Sequence, residues 1–335
     1  MYLLVFVRKA LSISQKVLLI GASGYIGQHV AKSLLEQGYM PICPLRSNNP
    51  SFDKMNLRPE QAPVWDITCE SSINKVFNQN PDISTVISCI ASRTGGIRDS
   101  WMVDFELNKN IMTAAKRFHV KKFVLLSAIC VQKPVLNFQL AKLAFEKELK
   151  LSGLDYTIVR PTSFFKSLSG QIDRVRKGKK FILFDSGENT RTKPISENDL
   201  AQFIVQSVDN KAMKNQTISI GGPGPVLTPK DLGEILFKLL NKQPRYLQIP
   251  SNIFKILAIL LTALGVISKR IKDKAEFLKI AHYYATESML LWDHEKKQYS
   301  AEKTIEVGHD TIEGFYKSVI DDDVNLVKEK EQKLF

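Results

Sequence analysis

The chain has 335 residues, 44% of them apolar, enough for one nucleotide-sized fold carrying a second lobe. A formal charge of +13 and a pI near 9.4 favour anionic ligands, nucleic acid or an anionic membrane surface without choosing among them. With no zinc finger, no aromatic RNA-binding signature and no basic DNA-reading helix, nucleic acid is set aside as a partner.

In chain order, residues 1–14 come first. MYLLVFVRKA puts its apolar run before its basic pair, the reverse of a secretory signal, and the run is too short to span a bilayer. A loose strand, a surface anchor and an upstream start all fit it. From Lys16 to about Arg160, short apolar runs alternate with amphipathic stretches, the pattern of a parallel sheet covered by helices. Strands are expected at Lys16–Ile20, Met40–Leu45, Val64–Ile67, Thr85–Ala91, Lys121–Ser127 and Tyr156–Arg160. Helices are expected at Tyr25–Gln37, Asp99–Phe118 and Asn137–Leu151, with Gly38 and Gly153 as stop signals after the first and last. Beyond Arg160 the regularity weakens. Strands at Phe181–Phe184, Gln216–Ile220 and Tyr246–Ile249 and helices at Asn198–Val208 and Pro229–Leu240 fit a lobe that covers the substrate better than a second nucleotide unit. The expected fold is α/β: a Rossmann-like doubly wound parallel sheet over 15–162, then a smaller lobe over 163–335 that returns some strands and helices to the first domain.

Ile256–Ile267, ILAILLTALGVI, stands apart, with Lys255 before it and Lys269, Arg270, Lys272 and Lys274 after it. As a helix it reaches only ~18 Å of a ~30 Å hydrocarbon core, so it does not span. A buried core helix is the expectation; a wall for a greasy ligand or a patch resting on a membrane surface are the alternatives. Cys43, Cys69, Cys89 and Cys130 are scattered with no C-x-x-C pair, which implies free thiols in a reducing compartment and disfavours an iron–sulfur cluster.

KVLLIGASGYIG carries the first chemistry. Gly21, Gly24 and Gly27 follow an apolar strand and open a helix, a spacing that lets the backbone turn sharply and approach a pyrophosphate at the helix amino terminus. Ser23, Tyr25 and Ile26 belong to the same cofactor-binding turn. At the end of the second strand, PLRSNNP offers Arg46, Ser47 and Asn48 and no carboxylate for a free ribose. A guanidinium matches a 2′-phosphate bidentately, so NADPH is the expected cofactor. Asp66, in VWDIT, is placed to accept from the adenine amino group, with loop capping as the competing role. Ser88 and Ala91 should run beside the cofactor, because ligands of such sheets lie at the strands' carboxyl ends.

Three stretches, SCIASRTGGIRDSW (Ser88–Trp101), LLSAICVQKPVLNFQLAKLAFE (Leu125–Glu146) and IVRPTSFFKSLSGQ (Ile158–Gln171), resemble the NADPH-dependent divinyl chlorophyllide 8-vinyl-reductases, an atypical extended branch of the short-chain dehydrogenase/reductase family. KPISENDLA, IGGPGPVLTP and KIAHYYATESMLLWD match as well, so the resemblance runs from Lys16 to about Tyr316. It implies reduction of a vinyl group to ethyl on a tetrapyrrole during chlorophyll synthesis, without the clusters of a second, ferredoxin-dependent type. The family carries Phe-x-x-x-Lys where ordinary short-chain reductases carry Tyr-x-x-x-Lys, and here these are Phe138 and Lys142. The start of the chain is unlike a long plastid transit segment, which suits a bacterial cytoplasm, at or near a thylakoid surface, or an already mature chloroplast protein.

The missing phenol is chemically coherent. A ketone reductase needs an acid beside a localised alkoxide, whereas hydride added to a conjugated vinyl group spreads charge over the macrocycle. Phe138 would offer a flat apolar surface, Lys142 would hold the nicotinamide ribose, and Ser127 would hydrogen-bond the carboxamide or a water. Ser127, Lys133, Lys166, Cys130 and water stand as proton sources. Pro161 and Thr162 would face the carboxamide. Trp101, Phe164 and Phe165 would wall a pigment, with Arg93, Arg98 or Lys166 pairing its carboxylate. His119, His282, His294 and His309 lie in no metal-like spacing, and no protein-bound metal is expected. Rival readings are another reductase or isomerase on this scaffold, or an NADPH-binding assembly or sensor protein without turnover.

Overall fold

A computed structural model describes residues 15–46, 57–264 and 269–321. Its main sheet is built from β1 (Lys16–Ile20), β2 (Met40–Ile42), β3 (Ile83–Ser88), β4 (Lys122–Leu126), β5 (Asp155–Pro161), β7 (Gln216–Gly221) and β11 (Ile305–Glu306). From edge to edge the order is β11-β7-β5-β4-β3-β1-β2, and every pairing is parallel. The chain leaves β1 toward β2 and then crosses back to β3, so a switch point opens at the carboxyl ends of β1 and β3, where doubly wound sheets bind ligands.

The strands are near-continuous apolar runs because helices cover both faces. In KVLLI the alternation divides the side chains: Val17 and Leu19 pack with Val30, Leu34, Leu200 and Ile204, while Leu18 and Ile20 pack with Ile111, Phe123, Phe145 and Ile158. The first group lies under the helices Tyr25–Glu36 and Glu197–Gln206, the second under Asn108–Arg117 and Asn137–Lys150.

The second lobe has its own core. A two-stranded parallel sheet of β6 (Phe181–Phe184) and β8 (Tyr246–Ile249) packs with the helices Ile172–Arg176, Pro229–Leu239 and Ile312–Asp321 around Phe165, Val175, Leu236, Phe237 and Tyr316. Thr228 starts the second of these helices with a reciprocal capping box to Asp231 and Pro229 at its first turn.

Three expectations are corrected and one is made specific. Val64–Ile67 forms no strand but a single bridge, Leu45 to Val64, because Pro63 precedes it and the chain turns at Asp66, whose carboxylate binds Thr68. Gln216–Ile220, read with the strands of the covering lobe, is one of those the lobe returns to the main sheet, beside β5. Asp99–Phe118 is three joined pieces, Ile97–Ser100, a π-helical Trp101–Leu107 and Asn108–Arg117. The apolar segment lies in the helix Asn252–Leu264 and is largely exposed instead of core-forming; its residues 265–267 fall outside the described residues. The helices Glu70–Gln79, Lys269–Thr286 and Ile312–Asp321 and the short strands β9 (Leu291–Asp293), β10 (Gln298–Ser300) and β11 had no expectation.

Candidate active site

The glycine turn sits at the switch point. Gly21 has φ +83°, and a Cβ there would come within 2.9 Å of the Cys89 carbonyl carbon, so the turn lies directly on the chain leaving β3. A Cβ on Gly27 would fall 2.1 Å from the Gly21 oxygen, which is why the helix can start so close to the strand. Gly24 caps that helix without a side-chain hydrogen bond, and Ser23 and Gly24 are exposed while Ile26 and Gly27 are buried. The first amide N–H groups therefore face outward on a helix amino terminus, an arrangement that fits a dinucleotide pyrophosphate. Lys166 places its ammonium 3.9 Å from the Tyr25 ring centroid and adds positive charge beside this turn.

Around the turn lie the other expected cofactor residues. Arg46 is exposed just past the Leu45 bridge, and its charge reaches Asp66. Hydrogen bonds from the Thr68 side chain and backbone, with Arg46 a smaller influence, hold the Asp66 carboxyl below its usual range, so loop capping is the contact the structure shows for it. Ser47 and Asn48 lie outside the described residues. Ala91 is exposed just beyond β3, whereas Ser88 is buried and donates to Asn108 Oδ1 at 2.6 Å. Pro161 and Thr162 are buried at the end of β5, with the Thr162 hydroxyl donating to the Lys193 carbonyl.

Lys142 is held by a residue that sequence reasoning missed. Its ammonium lies 2.9 Å from Asp104 Oδ1, with side-chain exposures of 11% and 0%. Asp104 also faces the Ser92 amide at 3.4 Å, and Asn108 donates to the Asp104 carbonyl at 3.1 Å. The π-helical turn widens the helix where Asp104 sits, a distortion frequent at functional sites. A signal existed in the sequence: Ser100, Asp104 and Asn108 share a helix face with the buried Ile111 and Ala115, and polar groups on an apolar stripe demand partners. Asp99 performs a parallel task outside, accepting from the Arg93 and Thr94 amides at 2.9 and 3.1 Å, so two aspartates fix the loop from Ser92 to Gly96.

Phe138 stands one turn before Lys142 and is half-buried. It packs with Ala128, Cys130, Leu136, Ile280, Tyr283, Tyr284 and Met289, an apolar cluster shared by the front of its own helix and the helix Lys269–Thr286. That second helix roofs the site. Ile280 presses on Gly95, Glu276 accepts from the Asn137 side chain at 2.9 Å, and the Tyr283 hydroxyl donates to the Cys130 carbonyl at 3.0 Å. Among the proton sources expected from sequence, Ser127 donates to Glu146 Oε1 at 2.6 Å, and Glu146 is in turn held by Arg160. Lys133 pairs with Glu287 at 2.8 Å and lies 4.5 Å over Trp292. Burial pushes the Cys130 thiol up, and its sulfur lies 3.9 Å from the Tyr284 hydroxyl, whose own pKa burial raises well above the ordinary value.

Of the expected pigment contacts, Trp101 is half-buried edge-on to Phe105 with ring centroids 5.7 Å apart, and Arg93 and Arg98 are exposed on the loop and helix after β3. Phe164 and Phe165 part company: Phe164 packs against the main-sheet core, Phe165 is sealed in the second lobe against Phe315.

Parallel strand order, a glycine turn at the switch point and a half-buried lysine paired to a buried aspartate define a nicotinamide-dinucleotide-binding Rossmann protein. Residues 21–211 match the family model described as NAD(P)H-binding. The same architecture occurs in the ternary complex of leucoanthocyanidin reductase from Vitis vinifera (TM-score 0.67, 16% identity, 91% of this chain and 99% of that one). It also occurs in an NADPH-dependent quinone oxidoreductase from Escherichia coli complexed with NADPH (TM-score 0.65, 17% identity, 91% and 99%); at such identities the likeness shows the fold alone. Sequence similarity goes further. The chain is 44% identical over 318 residues to the chloroplastic divinyl chlorophyllide a 8-vinyl-reductase of Arabidopsis thaliana, covering 91% of this chain and 76% of the relative. To the protein of that name from Zea mays it is 40% identical, covering 95% and 82%. The chain belongs to the divinyl chlorophyllide a 8-vinyl-reductase family. A photosystem II assembly factor of Synechocystis is more distant, 26% identical with 62% of each chain covered, so the reductase reading outweighs the assembly-factor one.

Proposed function

We propose that the chain reduces the 8-vinyl group of divinyl chlorophyllide, or of a closely related divinyl tetrapyrrole, to ethyl with NADPH as hydride donor. The observation that carries this reading is Phe138: the position from which a phenol would protonate an alkoxide is a phenyl ring in an apolar wall, one turn from the half-buried Lys142. NADPH held with its pyrophosphate at the glycine turn and its nicotinamide ribose at Lys142 would supply the hydride, two electrons and one hydrogen. The terminal vinyl carbon takes the hydride, the resulting charge spreads into the macrocycle, and a proton from water or a nearby weak acid completes the ethyl group. No alkoxide arises, so the demand for a strong oxyanion donor disappears.

In this reading the chain's residues bind and orient. The Ser23–Gly24 turn takes the pyrophosphate, Arg46 pairs the 2′-phosphate, Lys142 steered by Asp104 meets the nicotinamide ribose, and Phe138 lies against the reacting planes. Trp101 and Phe164 wall the pigment, with Arg93, Arg98 or Lys166 toward its carboxylate. Burying several hundred Å² of macrocycle yields a gross ~10 kcal/mol before ordering costs. Ser127 and Lys133 are engaged by Glu146 and Glu287, and burial raises the Cys130 thiol and the Tyr284 phenol, so water is the proton source this reading favours. A membrane surface is the second partner, in a plastid or beside bacterial thylakoids.

The test is incubation with NADPH and divinyl chlorophyllide while the Soret band is followed. A blue shift, with deuterium carried from 4-labelled NADPH into the new ethyl group, is the expected result. Tight NADPH binding with an unchanged spectrum would instead favour an NADPH-binding assembly or sensor protein without turnover.

A further inference from the structure

The helix Asn252–Leu264 is inverted for a water-facing element. Among the described side chains only Phe254, Ala258 and Leu261, spaced i, i+4 and i+7, turn inward, and Phe254 anchors the helix edge-on to Phe184 with centroids 4.9 Å apart. Outward stand Ile253, Ile256, Leu257, Ile259 and Leu260, with exposures of 42–61%. Phe277, on the adjoining helix Lys269–Thr286, is exposed as well. Contiguous exposed apolar residues of this size mark an interaction surface. The charges around them share one sign almost throughout: Lys255 on the first helix and Lys272 and Lys274 on the second are exposed, as is Lys279, which pairs with the buried Glu276 at 3.4 Å, and Asp273 is the one exposed acid between them among the described residues.

We infer that this helical hairpin docks the protein on an anionic lipid bilayer, the first helix lying in the interfacial plane. Thirteen residues reach ~20 Å, and no helix among the described residues is long and apolar enough to cross a membrane, so the geometry is that of a helix on the surface. Charge complementarity selects the occupant. Lysines flanking an apolar face attract anionic head groups while the isoleucines and leucines enter the acyl boundary. A second copy of the chain would bring the same lysines against their own kind.

Docking has a structural consequence for the site. The helix that carries Lys272 and Phe277 also sets Asp273 beside Gly96 and Ile280 on Gly95, so the bilayer would lie next to the roof of the candidate active site. That an apolar pigment enters from the lipid phase rests on the proposed function; lipid docking does not, and it can be read without pigment.

The test is flotation of the full chain with vesicles of phosphatidylglycerol and phosphatidylcholine, against vesicles of phosphatidylcholine alone. The wild type is expected to float with the anionic vesicles, less in 0.5 M salt, since screening shortens the reach of the lysines to roughly 4 Å. Ile256→Glu with Leu260→Glu is expected to lower the bound fraction about tenfold or more, whereas Leu151→Glu, at an exposed leucine elsewhere, leaves it unchanged. Unchanged NADPH binding in both variants separates lost docking from misfolding. The proposal is overturned if the wild type does not float, if the double variant floats equally well because another segment such as residues 1–14 binds, or if the double substitution instead converts a sedimenting dimer to a monomer.

Discussion

The Asp104–Lys142 pair offers a quantitative handle on the site. Replacing Asp104 with Ala leaves the Lys142 ammonium, 11% exposed, without its carboxylate at 2.9 Å, and breaking one side of a buried pair costs about 3–5 kcal/mol. With an unfolding entropy of roughly 2.1 cal/mol/K per residue, a chain of this length shifts its melting temperature by about 1.4 °C per kcal/mol, so the expected loss is about 4–7 °C. Lys142→Met should be destabilised as well, because Asp104 then keeps only long contacts to the Ser92 amide. The double variant Asp104→Ala, Lys142→Met should lose less than the sum of the two single losses, by a coupling of about 0.5–3 kcal/mol. Thermal melts of the four proteins, followed by circular dichroism, close the cycle. Strictly additive losses, or an Asp104→Ala protein melting within a degree of the wild type, would refute the assignment of Asp104 as the residue that holds Lys142. In the Asp104→Asn protein the acceptor oxygen persists, so its stability should fall less while its KM for NADPH still rises.

Three further outcomes are expected. Gly27→Ala should weaken NADPH binding at least about tenfold in a fluorescence titration, because its Cβ meets backbone at 2.1 Å, whereas Gly24→Ala meets the Gly21 oxygen at 3.2 Å and should lose less; equal effects would contradict the tight-turn geometry. Phe138→Tyr should not raise the rate of vinyl reduction, and a large gain would show that a phenol was needed after all. Thiol labelling at neutral pH should modify Cys69 first, since the hydroxyls of Ser71 and Ser72 lower its pKa and it is exposed. Burial raises the thiol of Cys43, that of Cys89 to about 12, and that of Cys130, so these stay protonated and unlabelled until the protein is unfolded; mass spectrometry of the labelled peptides reads the order.

Local pattern sufficed for the nucleotide half because its signals are local. An apolar pentapeptide, three glycines and a helix are contiguous in KVLLIGASGYIG, and steric rules alone dictate how such a stretch turns. Phe138 and Lys142 could be paired from their spacing, since positions four apart share a helix face. The membership of β7 in the main sheet was not legible in the same way, because Gln216–Gly221 and its partner Asp155–Pro161 are separated by the whole first part of the lobe, and no spacing rule links them.

The sequence by itself determined the dinucleotide turn, the parallel α/β pattern, the phenyl in place of a phenol and the scattered thiols, all of which follow from residue type and near-neighbour geometry. Only the tertiary structure decided which side chains meet across long separations: Asp104 on Lys142, Glu146 between Ser127 and Arg160, and the helix Lys269–Thr286 lowered over Phe138. It also decided that ILAILLTALGVI begins on an exposed helix rather than in the core, because hydrophobicity records how much a segment gains by leaving water, not what will cover it.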